Sequence, residues 1–131
     1  ADLFRAGPVQ ISGDIVADAV RATIDGFGAA PRIPPFRVLG GINAGADRWN
    51  ARIDAERTSA QRRVTGFETA TPGFTRVNFS ADWQILADSD VRLALSANNI
   101  FNVEARRHAS FLKDFAPLAG RDIRLSLRAS F

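Results

Sequence analysis

The chain contains one histidine, and two carboxylates lie near it in the sequence. His108 comes four residues after Glu104 and six residues before Asp114. A neutral imidazole and carboxylate oxygens are both ligands that zinc accepts. Because zinc sites use three or four protein ligands and these residues are loosely spaced in a loop, a metal site at His108 needs further ligands from outside this chain. Without such ligands, we expect His108 to be a solvated loop histidine, with a metal site as the alternative.

Two pairs of carboxylates lie at strand spacing and could share a proton in acid–base catalysis. The chain has no cysteine, a single histidine and no glycine-rich phosphate loop, so little else supports a catalytic site. Opposite charges on neighbouring strands stabilise a sheet modestly. We therefore predict that the protein is not an enzyme and that these carboxylates form ion pairs with arginines across the sheet. The carboxylates are Asp14, Asp18, Asp54 and Glu56, and the arginines are Arg37, Arg52, Arg76 and Arg92.

Apolar and polar residues alternate with period two through most of the chain, as in β-strands with one apolar and one polar face. Near the end of the chain, Ile123, Leu125 and Leu127 alternate with Arg124 and Ser126. The pattern predicts an all-β protein of six antiparallel strands. They span about 9–25, with a β-bulge near residues 19–20, and 36–46, 49–58, 75–86, 91–103 and 122–131.

The connections between these strands are predicted to alternate between long and short. Residues 26–35, 59–74 and 104–121 form the long connections, and residues 46–48 and 87–90 form the short turns. In an up-and-down sheet this alternation puts all long connections at one end. Long outer loops and short periplasmic turns are typical of transmembrane β-barrels.

Aromatic residues are predicted at both ends of the apolar face. Trp49, Trp83 and Phe131 lie at the short-turn end, and Phe36, Phe74 and Phe101 lie at the long-loop end. Two aromatic rows around a band of aliphatic residues are typical of the girdles of a membrane barrel. We therefore predict an antiparallel up-and-down transmembrane β-barrel in contact with membrane lipid. A small soluble barrel or sandwich with its apolar face inside, acting as a binding module, is the alternative.

Length and charge restrict the remaining classes. The 131 residues suit one domain, 1–131. No methionine is present at position 1, which predicts that the chain has been processed, was cut from something larger or is only part of a longer chain. The net charge is +3, but the arginines alternate singly with polar residues and form no patch, so no nucleic-acid partner is expected. Six strands leave two open edges. The strands that begin near Val9 and end at Phe131 should therefore pair with protein outside this chain.

Several segments resemble the C-terminal end of TonB-dependent outer-membrane receptors. They are PRIPPFR at 31–37, PGFTRVNFSADW at 72–83, NNIFN at 98–102 and GRDIRLSLRASF at 120–131. NNIFN is similar to the family's Asn-Leu-Phe-Asp motif in the penultimate strand. Within the family, the first segment together with RRHASFLKDFAPLAGR at 106–121 most resembles the zinc-uptake (ZnuD-like) branch.

The resemblance implies a function and a set of partners. This chain would supply about six strands of a barrel of about 22 strands in the bacterial outer membrane. Its partners would be the remainder of the barrel and its plug, the TonB complex through that plug, and the barrel-assembly machinery. No cofactor is implied. Zinc would be a transported substrate, with His108 as the nitrogen ligand that this chain offers.

Overall fold

The computed structural model describes residues 1–86 and 90–130, and antiparallel strands are its only long regular elements. The strands are β1 (Asp2–Ala6), β2 (Val9–Asp18), β3 (Thr23–Ile24), β4 (Gly28–Ala29), β5 (Arg37–Ala46), β6 (Trp49–Thr58), β7 (Phe74–Gln84), β8 (Asp90–Asn98) and β9 (Asp122–Ser130). None of the described residues forms a helix long and apolar enough to cross a bilayer. The all-β prediction is confirmed. Residues 87–89 of one predicted turn, and the predicted girdle residue Phe131, lie outside the described residues.

Seven of these strands form a single open sheet in the order β1-β2-β5-β6-β7-β8-β9, and β3 and β4 form a separate small hairpin. Every neighbouring pair is antiparallel. Among the described residues, β1 and β9 are the two edges of the sheet. The prediction that the strand beginning at Val9 is an edge is wrong, because β1 pairs with it.

The first predicted strand is too long at its end. It stops at Asp18, which pairs with Arg37, and does not continue to residue 25. Beyond that pair the opposing chain contains Pro34 and Pro35, which have no N–H to donate to a ladder. The change of phase near residue 19 therefore marks the end of β2 and not a bulge, and the irregular register lies in β1 between Asp2 and Phe4.

The penultimate strand is also shorter than predicted, because β8 ends at Asn98. Two asparagines of the NNIFN segment adopt the left-handed backbone conformation, with φ of 50° at Asn99 and 53° at Asn102. Asparagine tolerates this conformation better than most residues, and a strand cannot continue through it. The NNIFN segment thus begins with the last residue of β8, Asn98, and continues as a turn.

The predicted alternation of connections is confirmed for the described part of the chain. Three long connections, residues 19–36, 59–73 and 99–121, leave the same end of the sheet, and we call them together the loop cap. The short connection 47–48 lies at the opposite end.

The two faces of the sheet differ in what covers them. One face carries exposed aliphatic side chains, including Ile15 at 76 % and Leu125 at 68 % exposure, with Ile42, Ile53 and Leu127 beside them. Buried apolar residues are few in the described chain, namely Phe74 in β7 and Ala105 in the loop cap. A soluble barrel or sandwich would enclose the aliphatic face. This sheet leaves that face open.

The aromatic residues largely follow the predicted rows. Trp49 and Trp83 lie directly opposite each other on β6 and β7, and both are exposed. Phe36 and Phe101 are exposed near the loop cap. The prediction that Phe74 lies on the apolar face is wrong, because Phe74 faces the polar side opposite Thr58 and is only 5 % exposed. Its even position in β7 places it on the same face as Arg76, so the alternation itself assigns it there.

Candidate functional site

The polar face of the sheet is crossed by ion pairs between strands, as predicted for most of the carboxylates. Arg52 on β6 donates two hydrogen bonds to Asp14 on β2, at 2.7 and 3.1 Å. The guanidinium passes over Gly41 on β5, where any Cβ would overlap it. Arg37 donates to Asp18 in the same way at the loop end of the sheet. These pairs fasten non-adjacent and adjacent strands together.

Glu56 has a main partner that the sequence did not indicate. Arg107 in the loop cap donates two hydrogen bonds to its carboxylate, one at 2.8 Å, and Arg76 lies 3.7 Å away. The Arg107 guanidinium also stands 5.5 Å from the centroid of the Phe74 ring. Glu56 is buried by this arrangement. The contact anchors the third long connection to the polar face of the sheet.

The turn after β8 is held by Asn99, which is fully buried. Its side-chain N–H groups donate to the carbonyls of Val103 and Ala119, and its Oδ1 accepts from the Val103 N–H. Its own N–H donates to the side chain of Asn78. The NNIFN segment therefore fixes where the loop cap leaves β8 and where it returns toward β9.

His108 is buried, with 2 % of its surface exposed, so the expectation of a solvated loop histidine is wrong. Its Nδ1 lies 2.7 Å from the hydroxyl oxygen of Thr71 in the second long connection. Its Nε2 is buried without a hydrogen-bond partner and lies 3.8 Å from the carboxylate of Glu68. Burial lowers the pKa of His108 below its usual value, although Glu68 acts in the opposite direction.

Glu68 joins all three long connections. It accepts a 2.7 Å hydrogen bond from the Arg32 N–H of the first connection, and a longer one from the Thr65 N–H of its own connection. It faces His108 in the third. Burial by itself would raise the pKa of Glu68, but the backbone donors and the charges of nearby groups hold that pKa below its usual value. Glu68 is therefore an anion inside the cap.

The two carboxylates predicted beside His108 are engaged elsewhere. Asp114 accepts hydrogen bonds from Thr69 and from Lys113, whose buried ammonium also donates to the Thr69 carbonyl. These donors lower the pKa of Asp114. Glu104 is exposed and pairs with Arg106 at 2.8 Å. Within residues 1–86 and 90–130 no three histidine, cysteine or acidic side chains are grouped to hold a metal ion.

A hydroxyl, an imidazole and a carboxylate thus follow one another at Thr71, His108 and Glu68. The same groups act in hydrolases, where the hydroxyl is open to substrate. Thr71 is only 5 % exposed, so its hydroxyl is not open to solvent in this way. His108 instead lines a cavity of about 370 Å³ on the polar side, and Glu68 lines another of about 120 Å³. A role for Glu68 was not predicted from the sequence, because nothing in its local pattern distinguishes it from a solvated loop acid.

Comparison with known proteins identifies the fold. No protein-family model matches the chain. Among similar solved structures is one titled "Copper transporter OprC", with a TM-score of 0.74, 17 % sequence identity and 96 % of this chain covered. The match covers 21 % of that structure's chain, so this chain spans about a fifth of its length. At this identity the likeness concerns the fold alone: these strands have the arrangement of strands in part of that structure.

Proposed function

We propose that this chain is a C-terminal part of the β-barrel of a TonB-dependent outer-membrane transporter that takes up a metal ion or metal complex. The sequence resemblance to these receptors and the fold of a copper transporter support the same class of protein. The observation that carries the proposal is the exposed aliphatic face of the sheet, opposite a face crossed by ion pairs.

The dimensions of the aliphatic face suit a lipid bilayer. On β6 this face carries Trp49, then Ala51, Ile53 and Ala55, and its first charged residue is Arg57, eight residues from the tryptophan. At about 3.4 Å per residue and a tilt of about 40°, these eight residues rise about 20 Å, close to the apolar band of about 25 Å in outer-membrane barrels. Arg57 donates to Thr75 at the rim, where it can reach the lipid headgroups.

The polar face would line the lumen of this barrel. Its ion pairs could lie beside water or beside a protein plug. The loop cap packs over the end of that face through Arg107 and Glu56. The cap would then stand at the outer entrance. The partners would be the remaining strands, the plug and, through the plug, the TonB complex.

The edges β1 and β9 would be joined to further strands. Strand edges inside hydrocarbon leave backbone N–H and C=O groups unpaired, at a cost of several kcal/mol each, so membrane barrels close. A partner for each edge would lie outside the described residues, and the fifth of the copper transporter's length that this chain matches supports this.

The transported substrate is the finer part of the proposal. The similarity to a copper transporter supports a metal as the substrate. The assignment to the zinc branch is supported by the sequence resemblance alone. An uptake assay tests it: cells lacking the complete protein should accumulate less metal from a limiting medium, with zinc and copper measured separately. Equal accumulation of both metals with and without the protein would reject metal uptake.

A further inference from the structure

The imidazole of His108 is built into the cap in a way that leaves one nitrogen for a ligand. Thr71 occupies Nδ1, and Nε2 faces the Glu68 carboxylate across 3.8 Å with no hydrogen-bond partner. That separation is too long for a hydrogen bond. Buried polar atoms in proteins are nearly always paired, so an orphaned nitrogen directed at a carboxylate requires an explanation.

We propose that His108 Nε2 and Glu68 Oε1 are two ligands of a divalent transition-metal site in the loop cap. This rests on the proposed metal uptake and replaces Glu104 and Asp114 as the acidic ligands of the site. Zinc lies about 2.0–2.2 Å from nitrogen and oxygen ligands, so two ligands at the tetrahedral angle stand about 3.4 Å apart. A closure of about 0.4 Å brings the pair to that distance. The remaining ligands are water or come from protein outside the described residues.

The surrounding charges permit a cation at this position. The charges of two acids, Glu68 and Asp114, act on His108, and among the described residues Lys113 is the base whose charge acts on it. Lys113 is already engaged by Asp114 and Thr69, so its charge is balanced locally. The Thr71 hydroxyl at Nδ1 fixes the orientation of the ring, which is the usual role of a second partner of a metal-bound histidine.

The ligand chemistry also restricts which metal ions the site can bind. The chain has neither cysteine nor methionine, so it offers no sulfur ligand to copper(I). Imidazole with carboxylate suits zinc(II) and copper(II), and copper(II) binds such sites more tightly in the usual order of stability. The two ligands that this chain offers therefore favour the divalent ions over copper(I).

Metal titration of the complete protein in detergent tests the site. Glu68→Gln retains a carbonyl oxygen for the Arg32 N–H and removes the charge, and His108→Gln removes the imidazole. Each should lower zinc affinity at least tenfold, and the double variant should lose little more than either single one. The matched control is Glu104→Gln, which alters an exposed carboxylate of the same loop and should leave the affinity unchanged.

A second measurement distinguishes loss of the metal site from misfolding of the variants. Zinc should raise the thermal unfolding midpoint of the wild-type protein and of Glu104→Gln, and should not raise it in folded Glu68→Gln. Wild-type affinity in Glu68→Gln, or a loss confined to Glu104→Gln, would overturn the site. If the variants lose binding but cells take up metal normally without the protein, the site stands and the proposed uptake fails.

Discussion

At the scale of single residues, the protein depends on a few buried polar groups whose partners lie far away in the sequence. Glu56, Asn99 and Lys113 are each buried with their hydrogen bonds satisfied across different segments. If one partner of such a hydrogen bond is removed, the remaining buried group is left unpaired, which costs about 1–3 kcal/mol. These positions should therefore be more sensitive than the exposed apolar residues.

Asn99→Ala tests this directly. The substitution leaves the Val103 N–H and the carbonyls of Val103 and Ala119 without partners, and it places alanine at a φ of 50°. We expect a loss of about 1–3 kcal/mol in the free energy of unfolding, measured by urea titration of the complete protein in micelles. Asn98→Ala is the control, because the exposed Asn98 makes only a 3.4 Å hydrogen bond to Asp122. Equal losses in both variants would contradict the role of Asn99.

The pH dependence of the loop cap follows from His108. Its pKa in the folded protein is below the usual 6.5, mainly because of burial, so the unfolded cap takes up a proton first. Cap stability should be complete above about pH 6.5 and decline as the pH falls below it toward the folded pKa. Hydrogen-exchange protection of the amides at 107–110, in chelator-treated protein, should decrease over that range.

His108→Gln should remove the part of the decline in cap stability that begins just below pH 6.5. The pKa values of Glu68 and Asp114 are also lowered, so their contributions remain until lower pH and are lost as the pH falls through their folded values. A protection factor that rises on acidification from pH 6.5 would show that the protonated imidazole is favoured in the cap.

At the scale of elements, the positions of the sheet strands were largely predictable and the loop cap was not. Strand alternation is local, so β5, β6, β7 and β9 could be read from the sequence within one or two residues. The end of β2 could also have been predicted, since Pro34 and Pro35 face it. The contact of His108 with Glu68 joins residues 40 positions apart in connections without periodicity. Only the strand order, which brings these connections to one end, hints that they meet.

The facing of β9 gives an element-scale prediction. Leu125 is 68 % exposed in the middle of the aliphatic face, and Ser126 points to the other face opposite Ala94. If lipid covers the aliphatic face, Leu125→Arg should destabilise the complete protein in a bilayer by about 2–4 kcal/mol, while Ser126→Arg should change its stability little. Unfolding titrations in lipid vesicles measure both. Greater sensitivity at Ser126 would favour a protein that buries its aliphatic face.

At the scale of the whole molecule, the open sheet, its aliphatic face and the loop cap are the features on which we base the proposal of one wall of a larger barrel. The described residues bury few apolar side chains, which is too little to stabilise a sheet of seven strands in water. Lipid on one side and further protein at the edges would supply the missing contacts. The central claim is therefore that the aliphatic face meets lipid.

Spin labels in the complete protein, reconstituted into vesicles, test that claim most directly. Single cysteines at Ile53 and Leu125 represent the aliphatic face, and cysteines at Ser80 and Ser126 represent the polar face. We predict that labels at the first two positions relax faster with oxygen, which concentrates in the bilayer, than with a water-soluble nickel complex, and that the other two do the reverse. Nickel-accessible labels at Ile53 and Leu125 would contradict the account.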